Sequence, residues 1–448
     1  MRGRARVVGQ LLIPLGCLAA CARAPAPAAV TPAEVPGLIA AADRAPGDAA
    51  VRFRLAAALA AAQRCDTATL VARAALALEP DNVLGPLILG SCEEEAGRYA
   101  AAVVIYKDFV AQHGQARGVA ALRAKAQLAL RAGAEQTARQ ALARERELAE
   151  QPPPPATVAV LPVAITGDSS YQPLARGLAD LITTDLAYIR TLRLLERLQI
   201  GVLLDELQLA ASDRVDPATA ARVGRLLRAE RMVQGTATIP AQGPVELSAS
   251  VVTATGVVRP VGQVTGPFPR LLELEKQVVF DLAAQLGIEL TEAERQQILR
   301  QGPKSLVAFL AYSRGLDAMD RGDYDAAMRS FRAAAQADPG FQSARQGQQA
   351  AAAAPVVQQI IGGAIVTVVQ AVEQVTAASE PEGGAAPAAV LSATKLDVAP
   401  TSGDVIAQAG GVTSGTSILE RHLTPEALGL PSIVSVANGI TIIFVRPP

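Results

Sequence analysis

The chain has 448 residues, which is enough for two to four domains, and half of them are hydrophobic, so large cores can form. The formal net charge of −1 gives no electrostatic basis for binding nucleic acid. The two histidines, His113 and His422, lie in unrelated segments, which argues against a histidine zinc site and against most hydrolases with a Ser-His-Asp triad.

Residues 1–20 have the form of a secretory signal, because arginines precede an apolar run that is too short to span a membrane well. The run ends in Leu18, Ala19, Ala20 and Cys21, which resembles the lipobox of bacterial lipoproteins. The resemblance implies cleavage before Cys21 and lipidation of its thiol. An ordinary signal with incidental cysteines is the alternative.

The segment 21–36 is rich in alanine and proline and is typical of an extended tether, which an anchored domain needs. Ala22 stands where inner-membrane lipoproteins of the enterobacterial family carry aspartate. We therefore expect a lipid anchor at the periplasmic face of the outer membrane.

Residues 37–149 are predicted to form helical repeats. Pro46 and Pro80 are 34 residues apart, the tetratricopeptide period. The best-matching unit of this region has small and aromatic residues at the family's positions, namely Gly90, Gly97, Tyr99, Ala102 and Tyr106. Such repeats usually present a concave groove to a partner, and Glu93–Glu95 either line it or form a solvated face.

Cys65 and Cys92 fall on neighbouring helices of this repeat pattern. The two cysteines form either a disulfide or two buried free thiols. The antiparallel packing of the helices favours the disulfide.

Four prolines in 150–156 are predicted to end the repeats and to act as a stiff spacer. The region 157–290 then reads as α/β, beginning with a single buried strand at 157–165, "TVAVLPVAI". Asp216 followed by Pro217 predicts a helix start.

The segments "VAVLPV", "ARGLADLITTDLA", "LRLLER", "LDELQLA", "AARVGRLL" and "VQGTAT" together resemble the soluble domain of the curli-secretion lipoproteins (CsgG-like), including relatives such as FlgO and the amino-terminal domain of TolB. The resemblance covers about 157–290 and implies an envelope lipoprotein. The curli pore is built from extended amphipathic hairpins, whereas here the segments after 165 and 190 lead directly into predicted helices. A soluble adapter is therefore favoured over a secretion-channel subunit.

A periplasmic hydrolase is the third hypothesis, with Asp168 and Ser169 in the turn "GDSS" after the first strand. Aspartate and serine in a turn usually serve the turn itself, and no phosphate-binding glycine motif accompanies them. We expect no enzymatic activity, no cofactor and no metal.

Residues 291–345 contain a further tetratricopeptide unit, which should dock on the last helices of the middle region. Its motif positions are Gly315, Gly322, Tyr324, Ala327, Phe331 and Pro339. The segment 346–410 is of low complexity, and residues 355–375 within it are predicted to form an amphipathic helix or a surface-seeking segment, with a second membrane span as the alternative. In 411–448, Asn438–Gly439 between two β-rich runs predicts a hairpin that adds to a sheet of this chain or of a partner.

The sequence thus predicts an α+β multidomain lipoprotein that consists of a tetratricopeptide-like α-solenoid, a central α/β domain, a further repeat unit and a hairpin tail. Its expected role is that of a protein-binding adapter in envelope biogenesis or secretion. Partners would be envelope proteins bound by the repeats and the membrane bound by the lipid, and homo-oligomerisation stays open.

Overall fold

The computed structural model describes residues 29–209, 216–359 and 365–379. The lipobox residues, Cys21 and the C-terminal hairpin segment lie outside these ranges. Within them, helices flank a small mixed sheet, and the α+β multidomain class is confirmed.

Six helices form the front of the chain, and each packs on its neighbour in sequence. They are α1 (Val35–Arg44), α2 (Ala49–Ala61), α3 (Cys65–Leu76), α4 (Leu84–Glu95), α5 (Tyr99–Gln112) and α6 (Val119–Ala143). Their contacts are rich in alanine, and Ala56, Ala68, Ala72 and Ala75 are fully buried. Small side chains let helix axes approach closely, which is the packing that the repeat pattern predicts.

The central sheet has the order β3-β1-β4-β5-β6, and β2 also pairs with β4. Pairing is parallel among β1 to β4 and antiparallel in β4-β5-β6. The strands are β1 (Thr157–Val160), β2 (Ala164–Gly167), β3 (Arg193–Leu194), β4 (Arg231–Ile239), β5 (Val245–Thr253) and β6 (Val258–Gly266).

The single strand predicted at 157–165 was wrong, because the structure has two strands that pair with successive parts of β4. Pro162 lies between them and has no N–H to donate to a ladder. The N–H of Val163 donates instead to the carbonyl of Ala175, at 2.9 Å. The chain therefore steps towards the following helix before it resumes pairing.

Helices cover both faces of the sheet. They are α7 (Glu145–Glu150), α8 (Leu174–Leu186), α9 (Arg197–Glu206), α10 (Pro217–Leu227) and α11 (Leu271–Gln285). Val158 and Val160 of β1 join the core formed with α8 and α11, whereas Ala159 and Leu161 join the core shared with α9, α10 and the front helices. This alternation is that of a strand buried on both sides.

The Pro-rich segment 150–156 does not hold the front helices away from the α/β region. Helix α6 packs directly on α9, and α7 packs on α10. The guanidinium of Arg228 donates to the carbonyl of Pro152, so this segment lies against the α/β region. The stiff-spacer interpretation is therefore corrected, because apolar helix faces on both sides bury each other.

The rear of the chain contains α12 (Glu292–Arg300), α13 (Leu306–Asp320), α14 (Tyr324–Ala337), α15 (Gln342–Gln358) and α16 (Ile365–Ser379). The boundary predicted at 345 falls inside α15, because buried alanines such as Ala344 and Ala354 continue its apolar face past that point. Helix α15 packs on α6, and α16 contacts α2, α4 and α6, so the rear helices return to the front ones.

The predicted docking of the rear unit on the last helices of the middle region is also corrected. Helix α13 packs on α8, the first helix of that region. The reason is local: Gly177 has no side chain, and a Cβ there would lie 2.0 Å from the Oγ of Ser313. The two helices approach at this glycine.

Candidate partner-binding groove

The repeat-motif residues of the front helices build packing contacts. A Cβ on Gly90 would lie 2.2 Å from a ring carbon of Tyr106, so only glycine admits that ring. The Tyr106 hydroxyl donates to Glu94 at 2.6 Å, and Lys125 donates to the other Glu94 oxygen at 2.6 Å. Burial raises the pKa of Tyr106 well above its ordinary value. Glu94 of α4 thus connects α4 to both α5 and α6 through hydrogen bonds inside the protein.

The remaining front positions have similar roles. Ala102 is fully buried, Gly97 has a φ of +71° in the turn before α5, and Tyr99 contacts the backbone of α6 at Gly133. Cys65 and Cys92 form a disulfide, with Cα atoms 5.5 Å apart, that joins α3 to α4.

The rear unit is organised around Phe331. A Cβ on either Gly315 or Gly347 would lie 3.0 Å from its ring, so α13 and α15 both approach it closely. Tyr312 and Phe341 pack on each other at 4.2 Å between ring centroids. The other motif residues serve turns and packing: Gly322 has a φ of +76°, Ala327 is fully buried, Tyr324 accepts from Gln358, and Pro339 precedes α15.

A groove of about 330 Å³ lies where the front and rear helices meet. Its walls are the α5–α6 turn with the start of α6, one face of α15 and the end of α16. The side chains from α15 are Gln342, Arg345, Gln346 and Gln349, whose three- and four-residue spacing places them on one helix face.

Two arginines connect the walls of this groove. Arg123 of α6 donates to Gln349 at 3.3 Å and to the carbonyl of Gly114 at 3.2 Å. Arg117 donates to Glu373 of α16 at 2.6 Å, with its own side chain 78 % exposed. Glutamine amides offer both donors and acceptors, and the exposed Arg345 adds a positive charge. The lining suits the main chain of a peptide and a carboxylate upon it.

Buried ion pairs hold the groove's supporting helices to the α/β region. Lys107 of α5 lies 2.8 Å from Glu196, the residue before α9, and these side chains are 8 % and 0 % exposed. Arg197 pairs with Asp320 of α13 at 2.5 Å and with Asp180 of α8 at 3.3 Å. Burial alone would raise the pKa of Asp320, but its contacts with Arg197 and Arg176 outweigh burial and lower it. The charged form of Asp320 is therefore favoured.

A second charged cluster lies inside the α/β region, between α8 and α11. Asp185 and Glu275 are both fully buried, and Lys276 contacts both carboxylates. Burial raises the pKa of Asp185 well above its ordinary value, and the neighbouring Glu275 raises it further. Burial also raises the pKa of Glu275. Both shifts favour the protonated form of a carboxyl in this cluster, where one lysine faces two acids.

The residues of the hydrolase hypothesis form a turn. Asp168 caps the 3₁₀ turn Ser169–Tyr171 by accepting from the backbone N–H of Ser170 at 2.9 Å. His113 packs on the ring of Phe109 at 4.7 Å between centroids. Over the described ranges, no cluster of three or more His, Cys, Asp or Glu side chains could hold a metal ion.

Sequence reasoning missed the α15 wall of the groove, because its Ala- and Gln-rich composition indicated low complexity, and it predicted an amphipathic stretch over α16 without placing it in a groove. The helical spacing of Gln342, Gln346 and Gln349, set against buried alanines on the opposite face, is the signal that would have found the α15 wall. In the part of the chain that the structure describes, no helix is both long and apolar enough to cross a membrane.

Residues 140–239 match the family described as curli production assembly/transport component CsgG. No curated protein and no solved structure gives a significant match. The matched region runs from the end of α6 to the end of β4, so β5, β6 and α11, which the resemblance included, lie outside it. Residues 140–239 are therefore a CsgG-family region, set within a larger helical chain.

Proposed function

We propose that this protein is an outer-membrane-anchored periplasmic lipoprotein that acts as a protein-binding adapter in envelope biogenesis or secretion. Cys21 carries the lipid, and a partner peptide binds in the groove between the front and rear helices. The predicted tether 21–36 is shorter than expected, because Val30 and Val35 are buried against the front helices and α1 begins at Val35. The residues between Cys21 and Val30 set the reach. The CsgG-family region supports the envelope and secretion setting.

The groove is the observation that carries this proposal. It is polar, about 330 Å³ in volume, and bordered by helices that a buried ion pair and direct packing hold to the CsgG-family region. Ligand sites are usually concave and largely preformed, with a few convergent polar groups. The tether raises the partner's effective concentration at the membrane. No chemistry of its own is assigned to the protein.

The test is a pull-down from crosslinked membranes that compares wild type with Cys21→Ala and Arg345→Glu. We expect Cys21→Ala to leave the membrane fraction and Arg345→Glu to stay there but lose a specific envelope partner at least tenfold, since reversing the charge repels a carboxylate. Arg139→Glu, exposed on α6 and not among the groove residues, is the matched control. Partner capture that is unchanged by Arg345→Glu would contradict the groove.

A subunit of a CsgG-type secretion channel is the second candidate, favoured by the family match itself. The adapter is preferred because β2 leads to α8 through residues 168–173 alone, and β3 leads to α9 through 195–196. These connections leave no room for the extended hairpins of the curli pore. A stable homo-oligomeric ring as the sole crosslinked product in detergent would favour the channel.

A further inference from the structure

The outer edge of β6 pairs with no other strand among the described residues. Its inner edge pairs with β5 over its whole length. An edge strand presents a row of unpaired N–H and C=O groups, which form a template for another strand. Within the described ranges, the sheet therefore ends in an unpaired edge at β6.

This edge is the only described one long enough to accept a strand of five or six residues. The opposite edge, β3, is two residues long, and β2 is four, whereas β6 has nine. Main-chain hydrogen bonds supply most of the affinity when a strand is added, so the length of the edge matters.

The first part of β6 is protected against pairing with another strand, whereas the second part is not. Pro260 lacks an N–H, and the pairing register with β5 shifts between Ala249 and Ser250, opposite Gly262 and Pro260. The second half, 261–266, contains neither proline nor charge, the two devices that usually protect an edge. Val257 and Val258, at the start of the strand, are 53 % and 41 % exposed.

The chain itself supplies a segment of matching character. Residues 433–437 and 440–445 are two β-rich runs joined by Asn438–Gly439, and they carry no charge before Arg446. A two-stranded hairpin is marginally stable alone and needs a sheet to pack against. Residues 380–432 separate this segment from α16, and a linker of about 50 residues is long enough to span about 40 Å, the size of a domain.

We propose that the hairpin segment 433–445 of the same chain adds to the sheet by pairing with residues 261–266 of β6. The covalent connection favours its own chain over a second copy, because it fixes a high effective concentration. The pairing would close an edge that otherwise invites aggregation and would place the C-terminus beside the CsgG-family region.

Hydrogen exchange on the full-length protein tests this pairing, with a chain ending at Leu430 and the full-length variant Ile442→Asp for comparison. We expect exchange of the β6 amides that face outwards to be roughly tenfold faster in both altered proteins. Peptides from β4, which is central in the sheet, serve as the internal control. Equal β6 exchange in all three proteins would overturn the proposal.

Cysteine pairs distinguish the same chain from a second copy. In an equal mixture of unlabelled and ¹⁵N-labelled protein, Gln263→Cys with Thr441→Cys should form a disulfide within one chain. Arg139→Cys with Thr441→Cys is the control pair, and it should crosslink at least tenfold less. Mixed-mass dimers from the first pair, or equal crosslinking of both pairs, would overturn pairing within the chain.

Discussion

At the level of single residues, Asp185 and Glu275 are buried side by side, and Lys276 contacts both carboxyl groups. Desolvation disfavours a charged carboxylate, and two negative charges at close range disfavour each other. The pKa of Asp185 is raised by burial first and by Glu275 second. Above a pH of about 4, the raised pKa favours a bound proton in the folded protein that the unfolded chain releases.

This retained proton predicts a pH dependence of stability. Since the folded pKa of Asp185 lies above its ordinary value of 3.8, the free energy of unfolding should fall as pH rises from about 4 through the folded pKa. Each unit of difference corresponds to about 1.4 kcal/mol. Urea unfolding at several pH values should show a flatter dependence for Asp185→Asn, in which Lys276 still has Glu275 as partner.

Asp205→Asn, at an exposed position on α9, is the control for this pH series and should follow the wild-type curve. Parallel curves for wild type and Asp185→Asn would show that a different group holds the proton.

At the scale of elements, the front helices are positioned by small residues that face large ones. Gly90 on α4 admits the Tyr106 ring of α5, and the ring is fixed by its hydrogen bond to Glu94. The disulfide between Cys65 and Cys92 closes a loop of 27 residues, which constrains the unfolded chain by about 3–4 kcal/mol. The small residues of the repeat pattern thus set how closely neighbouring helices approach each other.

Gly90→Ala tests this packing. The added methyl overlaps a ring that is fully buried and cannot move aside, so we expect a loss of about 1–3 kcal/mol in the free energy of unfolding. Gly37→Ala in α1 is the matched control, because nothing lies within 4 Å of its Cβ position. That change should be neutral or should stabilise by up to about 1 kcal/mol. Equal effects of the two substitutions, measured by urea denaturation, would refute the close approach at Gly90.

At the scale of the whole molecule, the chain closes on itself. Helices α15 and α16 return to α6, α4 and α2, while α13 packs on α8. The buried pair Lys107–Glu196 joins the front helices to the α/β region. The groove exists because these distant segments meet.

Lys107→Met should reveal how strongly this junction depends on the pair. The substitution leaves the fully buried Glu196 without its cation, at a cost of about 3–5 kcal/mol in the free energy of unfolding. The double variant Lys107→Met with Glu196→Gln should recover most of that loss. Arg98→Met, which breaks an exposed pair with Glu93, should cost no more than about 1 kcal/mol. A double variant no more stable than Lys107→Met alone would contradict the coupling.

Features that depend on a local residue pattern could be predicted from the amino-acid sequence alone. The helices that carry Gly90, Tyr106, Gly315 and Phe331 follow from the helical periodicity of their sequences. The order of the sequence motifs in the α/β region indicated the CsgG family, and the family match at residues 140–239 confirms this resemblance. Periods of two and 3.6 residues are properties of neighbouring residues, so they can be read along the chain.

Features that depend on contacts between distant segments of the chain became apparent only in the folded protein. The break at Pro162 became visible through the pairing of both strands with β4. The glutamine face of α15 became a groove wall only because its alanine face packs on α6. Lys107 and Glu196 are 89 residues apart, and no local pattern connects them. Burial and charge pairing are set by the assembled core, and for that reason the sequence predicted the helices but not the groove between them.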